Sequence, residues 1–175
     1  MILFSLDITQ GGRVIRRIKN RDGRLYFHRA LRYGTCVCSI RRDSQRRANI
    51  WFSTLFGGGT NYAHGEDTLF LRDAFLRGLR VYTSSFCLGT CAKDASTCFH
   101  GFDEKYFHDQ GVLYRTAFGA AAAPLCLRFC LKRYRAYRRE MTFFRALRAM
   151  YRGTRETPRD KRPQRGTGAQ RVERA

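Results

Sequence analysis

The sequence predicts an α/β fold in which a mixed sheet is flanked by helices, and three observations support this class. The chain opens with an apolar, β-rich segment at residues 1–8 that is too short to span a membrane. A helical pattern follows a glycine-rich loop, with apolar side chains at Leu69, Phe70 and Ala74. Of the 175 residues, 43% are hydrophobic and 14% aromatic, which is enough for one folded unit with a core.

The other elements follow from turn signals and apolar runs. We expect strands at 14–18 and 79–82, and further short strands, or a strand after a helical turn, at 25–27 and 33–40. The basic run at 41–48 predicts a short helix. The organisation predicted is a sheet-containing domain at 1–110, an amphipathic helical extension at 111–153 and a disordered basic tail at 154–175.

The candidate site lies where the loop Gly57-Gly58-Gly59 leads to two adjacent carboxylates, Glu66 and Asp67, at the start of the predicted helix. Successive glycines let a ligand approach the backbone without interference from Cβ atoms. The carboxylates have two interpretations. They are helix caps, stabilised by free N–H groups and the helix dipole, or Asp67 is an ionised base that accepts a proton from a hydroxyl. The spacing alone does not choose between them.

The positive charge lies on both sides of this site. The formal net charge is +20, yet residues 51–131 contain seven Lys or Arg and seven acids. Residues 1–50 contain 12 basic residues against 3 acids, and residues 132–175 contain 15 against 4. Such a distribution suits nucleic acid or an anionic membrane surface, and it is also what a genome rich in G and C would encode.

The seven cysteines favour a reduced, cytoplasmic chain, because their number is odd and no secretory signal precedes them. The spacing Cys87-x3-Cys91-x6-Cys98-x-His100 offers four zinc ligands, but it contains no paired C-x2-C. Buried free thiols are the alternative, and we assign no metal site to these residues.

The apolar run between Arg115 and Arg128 is 12 residues long, which is too short for a membrane span. After it, apolar and aromatic residues alternate with arginines in a pattern typical of amphipathic helices. Such helices either pack on their own domain or lie at a membrane interface with arginines towards anionic headgroups. The second interpretation places the chain peripherally at the inner face of the cell membrane.

Seven segments, in their order and spacing, resemble the C-terminal half of bacterial members of glycosyltransferase family 2. The likeness covers residues 1–153. The segments are Arg32-Tyr33-Gly34, Ala48-Asn49-Ile50, residues 52–59, residues 65–71, residues 78–82, Ser96-Thr97 and residues 104–107. The resemblance implies the acceptor-side part of a GT-A fold and an inverting transfer of a sugar from a nucleotide-sugar donor to a hydroxyl of a glycan or lipid-linked acceptor, as in polysaccharide synthesis for the cell envelope.

The resemblance also implies roles for single residues. Asp67 corresponds to the base that takes the acceptor's proton. Glu66 corresponds to a residue that binds or positions the acceptor, with the entrance shaped by Gly58, Gly59 and His64. A segment that borders the donor in the family matches Ser96, Thr97 and Phe99.

Two departures from the family pattern stand out. Cys98 occupies the position of a tryptophan, which removes a stacking surface and an N–H donor. No Asp-x-Asp occurs in the 175 residues, although the family uses this motif to hold Mg²⁺ or Mn²⁺ on the donor diphosphate. We therefore expect a truncated glycosyltransferase that needs a separately encoded donor-binding half. The alternatives are a basic nucleic-acid-binding protein and a gene fragment without a function.

Overall fold

The computed structural model describes residues 1–30, 33–92, 101–156 and Pro158, and within them the predicted mixed α/β class is confirmed. A curled five-stranded sheet is flanked by helices. The strands are β1 (Ile2–Gln10), β2 (Arg13–Ile18), β3 (Gly23–Arg24), β4 (Cys38–Ser39) and β5 (Tyr82–Ala92). The helices are α1 (Phe27–Ala30), α2 (Arg42–Ala48), α3 (Glu66–Leu76), α4 (Glu104–Phe118), α5 (Ala122–Tyr137) and α6 (Phe143–Gly153).

Strand β1 is the centre of the sheet. It pairs antiparallel with β2, so that Leu6 lies opposite Ile18, and its first residues pair antiparallel with β4. Its other edge pairs in parallel with β5, although these two strands are far apart in sequence. The segments that separate β1 from β5 in the sequence include α2, the glycine loop and α3.

The structure decides two predictions about strands. Of the two alternatives for residues 25–27 and 33–40, it has the strand after a helical turn: α1 begins at Phe27, where the carbonyl of Tyr26 accepts hydrogen bonds from the following turn, and β4 follows at Cys38. The strand expected at 79–82 begins only at Tyr82 and continues to Ala92. Its polar residues are compatible with a strand because a distant segment of the same chain supplies hydrogen-bond partners. Oδ1 of Asp22 accepts a hydrogen bond of 2.7 Å from the backbone N–H of Ser85, and Oδ2 accepts one of 3.0 Å from its hydroxyl.

Helix α3 contributes to several parts of the hydrophobic core, and this fixes the position of its first turn. Leu71 packs with buried side chains of the sheet and α1. Phe70 and Ala74 pack around Ile50, which follows α2. Leu69 packs with residues of α4 and the glycine loop. Because three sides of α3 are anchored in this way, rotation of the helix would expose buried apolar surface.

Helices α4, α5 and α6 form a second group around the buried side chains of Phe107, Cys126 and Tyr137. Helices α4 and α6 cross very closely, and glycines lie at the crossing. A Cβ on Gly111 would overlap the carbonyl oxygen of Met150, and a Cβ on Gly153 would overlap that of His108. Only glycine permits both approaches. Among the described residues, no helix combines the length and apolar character that crossing a bilayer requires.

Candidate active site

The first turn of α3 carries Glu66 and Asp67, and Gly65 is its N-cap. Gly65 has a φ of 117°, and a Cβ there would lie 2.6 Å from Cδ1 of Leu113 in α4. The backbone conformation and the close approach of α4 both require glycine at this position. Glu66 and Asp67 are half-buried, so Asp67 is not sealed inside the core.

Asp67 faces the segment that leads into β4. Its Oδ1 accepts a short hydrogen bond from the hydroxyl of Thr35. A Cβ on the preceding residue, Gly34, would lie 3.2 Å from Oδ2 of Asp67, so a larger side chain would crowd the carboxylate. The carboxylate is thus held between α3 and the 34–35 segment, with one oxygen engaged by an alcohol.

Two cysteines near Asp67 stay protonated at neutral pH. Burial raises the pKa of Cys38 to about 11, and the negative charge of Asp67 adds to this effect. Burial also raises the pKa of Cys36, with further contributions from Cys91 and then Asp67. A thiol that is already protonated cannot accept a proton from a hydroxyl, so neither cysteine can act as the base here.

Glu66 lies against the glycine loop. Gly57 has a φ of 125°, and a Cβ there would lie 3.3 Å from Cδ of Glu66. Within the part of the chain that the structure describes, no hydrogen-bond donor or cation pairs with the carboxylate of Glu66. A half-buried carboxylate in this state can accept hydrogen bonds from a ligand.

The glycine loop is closed at its base. The N–H of Gly57 donates to the carbonyl of Tyr62 at 2.9 Å, and the N–H of Tyr62 donates to that of Leu55 at 3.0 Å. The hydroxyl of Thr60 lies 2.8 Å from the same carbonyl of Leu55. These bonds leave Gly58 and Gly59 at the exposed tip of the loop. Of the three loop glycines, Gly57 is therefore the one that lies against a carboxylate, that of Glu66, whereas the predicted acceptor entrance was assigned to Gly58 and Gly59.

His64 packs against α4. Its Nε2 lies 3.0 Å from Oε1 of Gln110, and its ring contacts that of Tyr106 with centroids 5.0 Å apart. Burial lowers the pKa of His64, although Gln110 and nearby carboxylates partly oppose this effect. The imidazole is therefore neutral at neutral pH and links the residues before α3 to α4.

The sequence analysis missed Asp109, a buried carboxylate on α4. Its Oδ2 accepts a hydrogen bond of 3.0 Å from the N–H of Ala63 and one of 2.6 Å from Nζ of Lys105. Lys105 also donates to the carbonyl of Asn61 at 2.9 Å. Asp109 and Lys105 thus hold the segment that leads into Gly65 and α3. The i,i+4 spacing of Lys105 and Asp109 in a helical segment was the signal that could have identified them.

Further polar contacts connect this segment to the end of α6. Nε2 of His108 lies 3.0 Å from Oε1 of Glu156, and the hydroxyl of Tyr62 donates to Oε2 of Glu156 at 3.0 Å. Burial and the adjacent Glu156 raise the pKa of Tyr62, so its hydroxyl remains a donor. Glu156 thereby ties the base of the glycine loop to α4.

The three residues predicted to border the donor, Ser96, Thr97 and Phe99, lie outside the described residues, as do Cys98 and His100. The described residues end at Ala92, the last residue of β5, and begin again at Gly101, before α4. Glu66, Asp67 and His64 are brought to one end of α3, whereas the geometry of the predicted donor side is not part of the described structure.

The described residues do not fit the divalent metal that the family resemblance implies. They contain no group of three or more His, Cys, Asp or Glu side chains placed to hold a metal ion. The sequence has no Asp-x-Asp either. We therefore assign no metal-dependent step to these residues. Comparisons with protein-family models, curated proteins and solved structures found no match to this chain.

Proposed function

We propose that this chain forms the acceptor side of an inverting glycosyltransferase of family 2, with a GT-A-like fold and Asp67 as the base. The observation that carries the proposal is the hydrogen bond that Asp67 accepts from the Thr35 hydroxyl at the half-buried start of α3. A carboxylate that accepts a hydrogen bond from an alcohol in this position is suited to accept the proton of an acceptor alcohol.

In the proposed reaction, the hydroxyl oxygen of the acceptor attacks the anomeric carbon of the donor sugar while its proton moves to Asp67. The bond between that carbon and the diphosphate oxygen breaks, and the nucleoside diphosphate leaves with the electron pair. Attack from the face opposite the leaving group inverts the configuration. The first turn of α3 supports this role, because free N–H groups and the positive end of the helix dipole lie beside the carboxylate.

The neighbouring residues suit the binding of a polyhydroxylated acceptor. Glu66 is half-buried and free to accept hydrogen bonds from sugar hydroxyls, and Gly57 leaves room beside it. Gly58 and Gly59 form the exposed rim of the proposed acceptor site. The neutral His64 positions the segment before α3 through Gln110.

In the proposal, the nucleotide-sugar donor is bound mainly by residues outside this chain. Ser96, Thr97 and Phe99 border the donor in the proposal, but no Asp-x-Asp is available in these 175 residues to hold a metal on the diphosphate. The proposed partner is a separately encoded donor-binding half. The proposal places the assembled enzyme in the cytoplasm, where nucleotide sugars are the donors.

The test is sugar transfer from labelled uridine or guanosine diphosphate sugars into the polymer or lipid-linked fraction, with the chain and its donor-binding half present together. Asp67→Asn keeps the shape of the side chain and its ability to accept from Thr35, but it removes the basic oxygen. We expect a loss of transfer of about 10²- to 10⁴-fold. Asp43→Asn, on exposed α2, is the matched control and should retain activity. Undiminished transfer by the Asp67→Asn variant would remove Asp67 from the mechanism.

A further inference from the structure

Helix α5 has an exposed apolar stripe beside its buried face. Its inner side chains, Cys126 and Cys130, are fully buried against α4 and α6. On one flank of this face, Leu127, Leu131 and Tyr134 are exposed and recur with a spacing of four and three residues. Leu131 keeps 62% of its surface accessible to solvent. This stripe contributes little to the core of the chain.

Helix α6 repeats this arrangement. Ala149 and Met150 are buried on its inner side, whereas Phe144 is 80% exposed and Tyr151 lies on the same outer side. A ring contact links the two helices, because Phe143 of α6 lies 6.3 Å from Tyr134 of α5; within α6 the same ring lies 5.6 Å from that of Phe144. We call the exposed side chains of Leu127, Leu131, Tyr134, Phe144 and Tyr151 the outer apolar surface.

Positive charge borders the outer apolar surface. Residues 122–156 contain ten Lys or Arg and two acids, Glu140 and Glu156. Arg145 and Arg152 form ion pairs with Glu104 of α4. The other eight cations have no ion-pair partner among the described residues. Those beside the stripes by helical spacing are Arg128, Lys132, Arg135, Arg148 and Arg155.

We propose that the outer apolar surface and its bordering cations bind the surface of an anionic phospholipid bilayer. Anionic headgroups attract the cations, and the interface between headgroups and acyl chains accepts the exposed leucines and aromatic rings. The proposal is independent of the proposed sugar transfer. Nucleic acid would account for the arginines and for stacking on Tyr134, Phe144 and Tyr151, but not for the exposed Leu127 and Leu131, which have no ring on which a base could stack. The leucines therefore favour a bilayer.

The experiment measures binding of the purified full chain to vesicles. Vesicles of phosphatidylcholine containing phosphatidylglycerol should bind the chain, and vesicles of phosphatidylcholine alone should bind it much more weakly. Leu131→Ser should weaken binding roughly ten-fold, because the interface no longer receives an apolar side chain. Leu76→Ser is the matched control, because Leu76 is 65% exposed at the end of α3, away from α5 and α6. Unchanged circular dichroism would show that both variants fold.

A second pair of variants tests the charges. Arg128→Gln combined with Arg135→Gln should lower binding to the anionic vesicles by about five-fold for each charge removed. Arg42→Gln combined with Arg46→Gln, on exposed α2, should have a smaller effect. Binding that falls equally in both double variants, or that is unaffected by Leu131→Ser, would overturn the proposal and indicate non-specific attraction. Displacement of the chain from the vesicles by equimolar single-stranded or duplex oligonucleotide would overturn it in favour of nucleic acid.

Discussion

The hydroxyl of Thr35 donates a hydrogen bond to Oδ1 of Asp67, a residue 32 positions later in the sequence. This contact joins the segment before β4 to the first turn of α3. It also means that one oxygen of the proposed base already accepts a hydrogen bond from an alcohol in the folded chain. The relationship can be tested separately from catalysis, because it contributes to the stability of the fold.

Thr35→Val should destabilise the chain by about 1 kcal/mol, because a half-buried carboxylate loses a hydrogen bond that water only partly replaces. Urea unfolding of Thr35→Val, Asp67→Ala and the double variant forms a double-mutant cycle, because each single substitution removes one partner of the hydrogen bond. We expect a coupling free energy of about 1 kcal/mol between the two residues. Additive effects of the two substitutions would contradict the hydrogen bond.

Gly111→Ala should destabilise the chain strongly, by at least about 2 kcal/mol, because the new methyl group would meet the backbone of Met150 rather than a movable side chain. Helix propensity predicts the opposite sign, since alanine is favoured over glycine in a helix by about 1 kcal/mol. The sign of the change in unfolding free energy therefore separates the two effects. Ala136→Gly, at an exposed position of α5, measures the propensity term alone. A stabilised Gly111→Ala variant would show that α4 and α6 do not cross closely.

Asp109→Asn should destabilise the chain by roughly 1–3 kcal/mol, because the amide weakens the contact with Lys105 inside a buried site. Hydrogen exchange of the backbone amide of Ala63, which donates to Asp109, should become faster. Asp103→Asn is the control, since its side chain accepts from Tyr106 at the start of the same helix and does not contact the glycine-loop segment. Unchanged exchange at Ala63 in the Asp109→Asn variant would contradict the proposed anchoring.

Stability should fall as the pH decreases through the ordinary pKa of histidine, and His64 should contribute to this fall. Burial lowers its pKa in the folded chain from 6.5, so the unfolded chain binds a proton first. The contribution of His64 is therefore fully present above pH 6.5 and is lost as the pH falls towards the folded-state pKa. The difference between the unfolding free energies at neutral and at mildly acidic pH should be smaller in His64→Gln than in the wild type. His28→Gln, at an exposed position, should leave the pH dependence unchanged.

The start of α3 could be predicted from the sequence because its signals are local. Three glycines, two acids and a helical pattern of apolar residues specify a loop followed by a helix within a few turns. The helix indeed begins at Glu66 and ends before Arg77. The amphipathic pattern of α5 and α6 was equally local, and both helices are present. The short apolar run at 25–27 left a strand and a helical turn as alternatives, because periodicity does not distinguish them over so few residues.

The sequence by itself determined the α/β class, the site of the two carboxylates and the concentration of charge in the C-terminal helices, because each depends on composition or on residues close together in the chain. Only the tertiary structure decided that Thr35 contacts Asp67, that Gly57 adjoins Glu66, and that Asp109 anchors the segment before α3. Those contacts depend on how β1, α3 and α4 pack together. Side-chain packing between distant segments leaves no periodic pattern in a single sequence, so the partners of the carboxylates emerge only when the chain is folded.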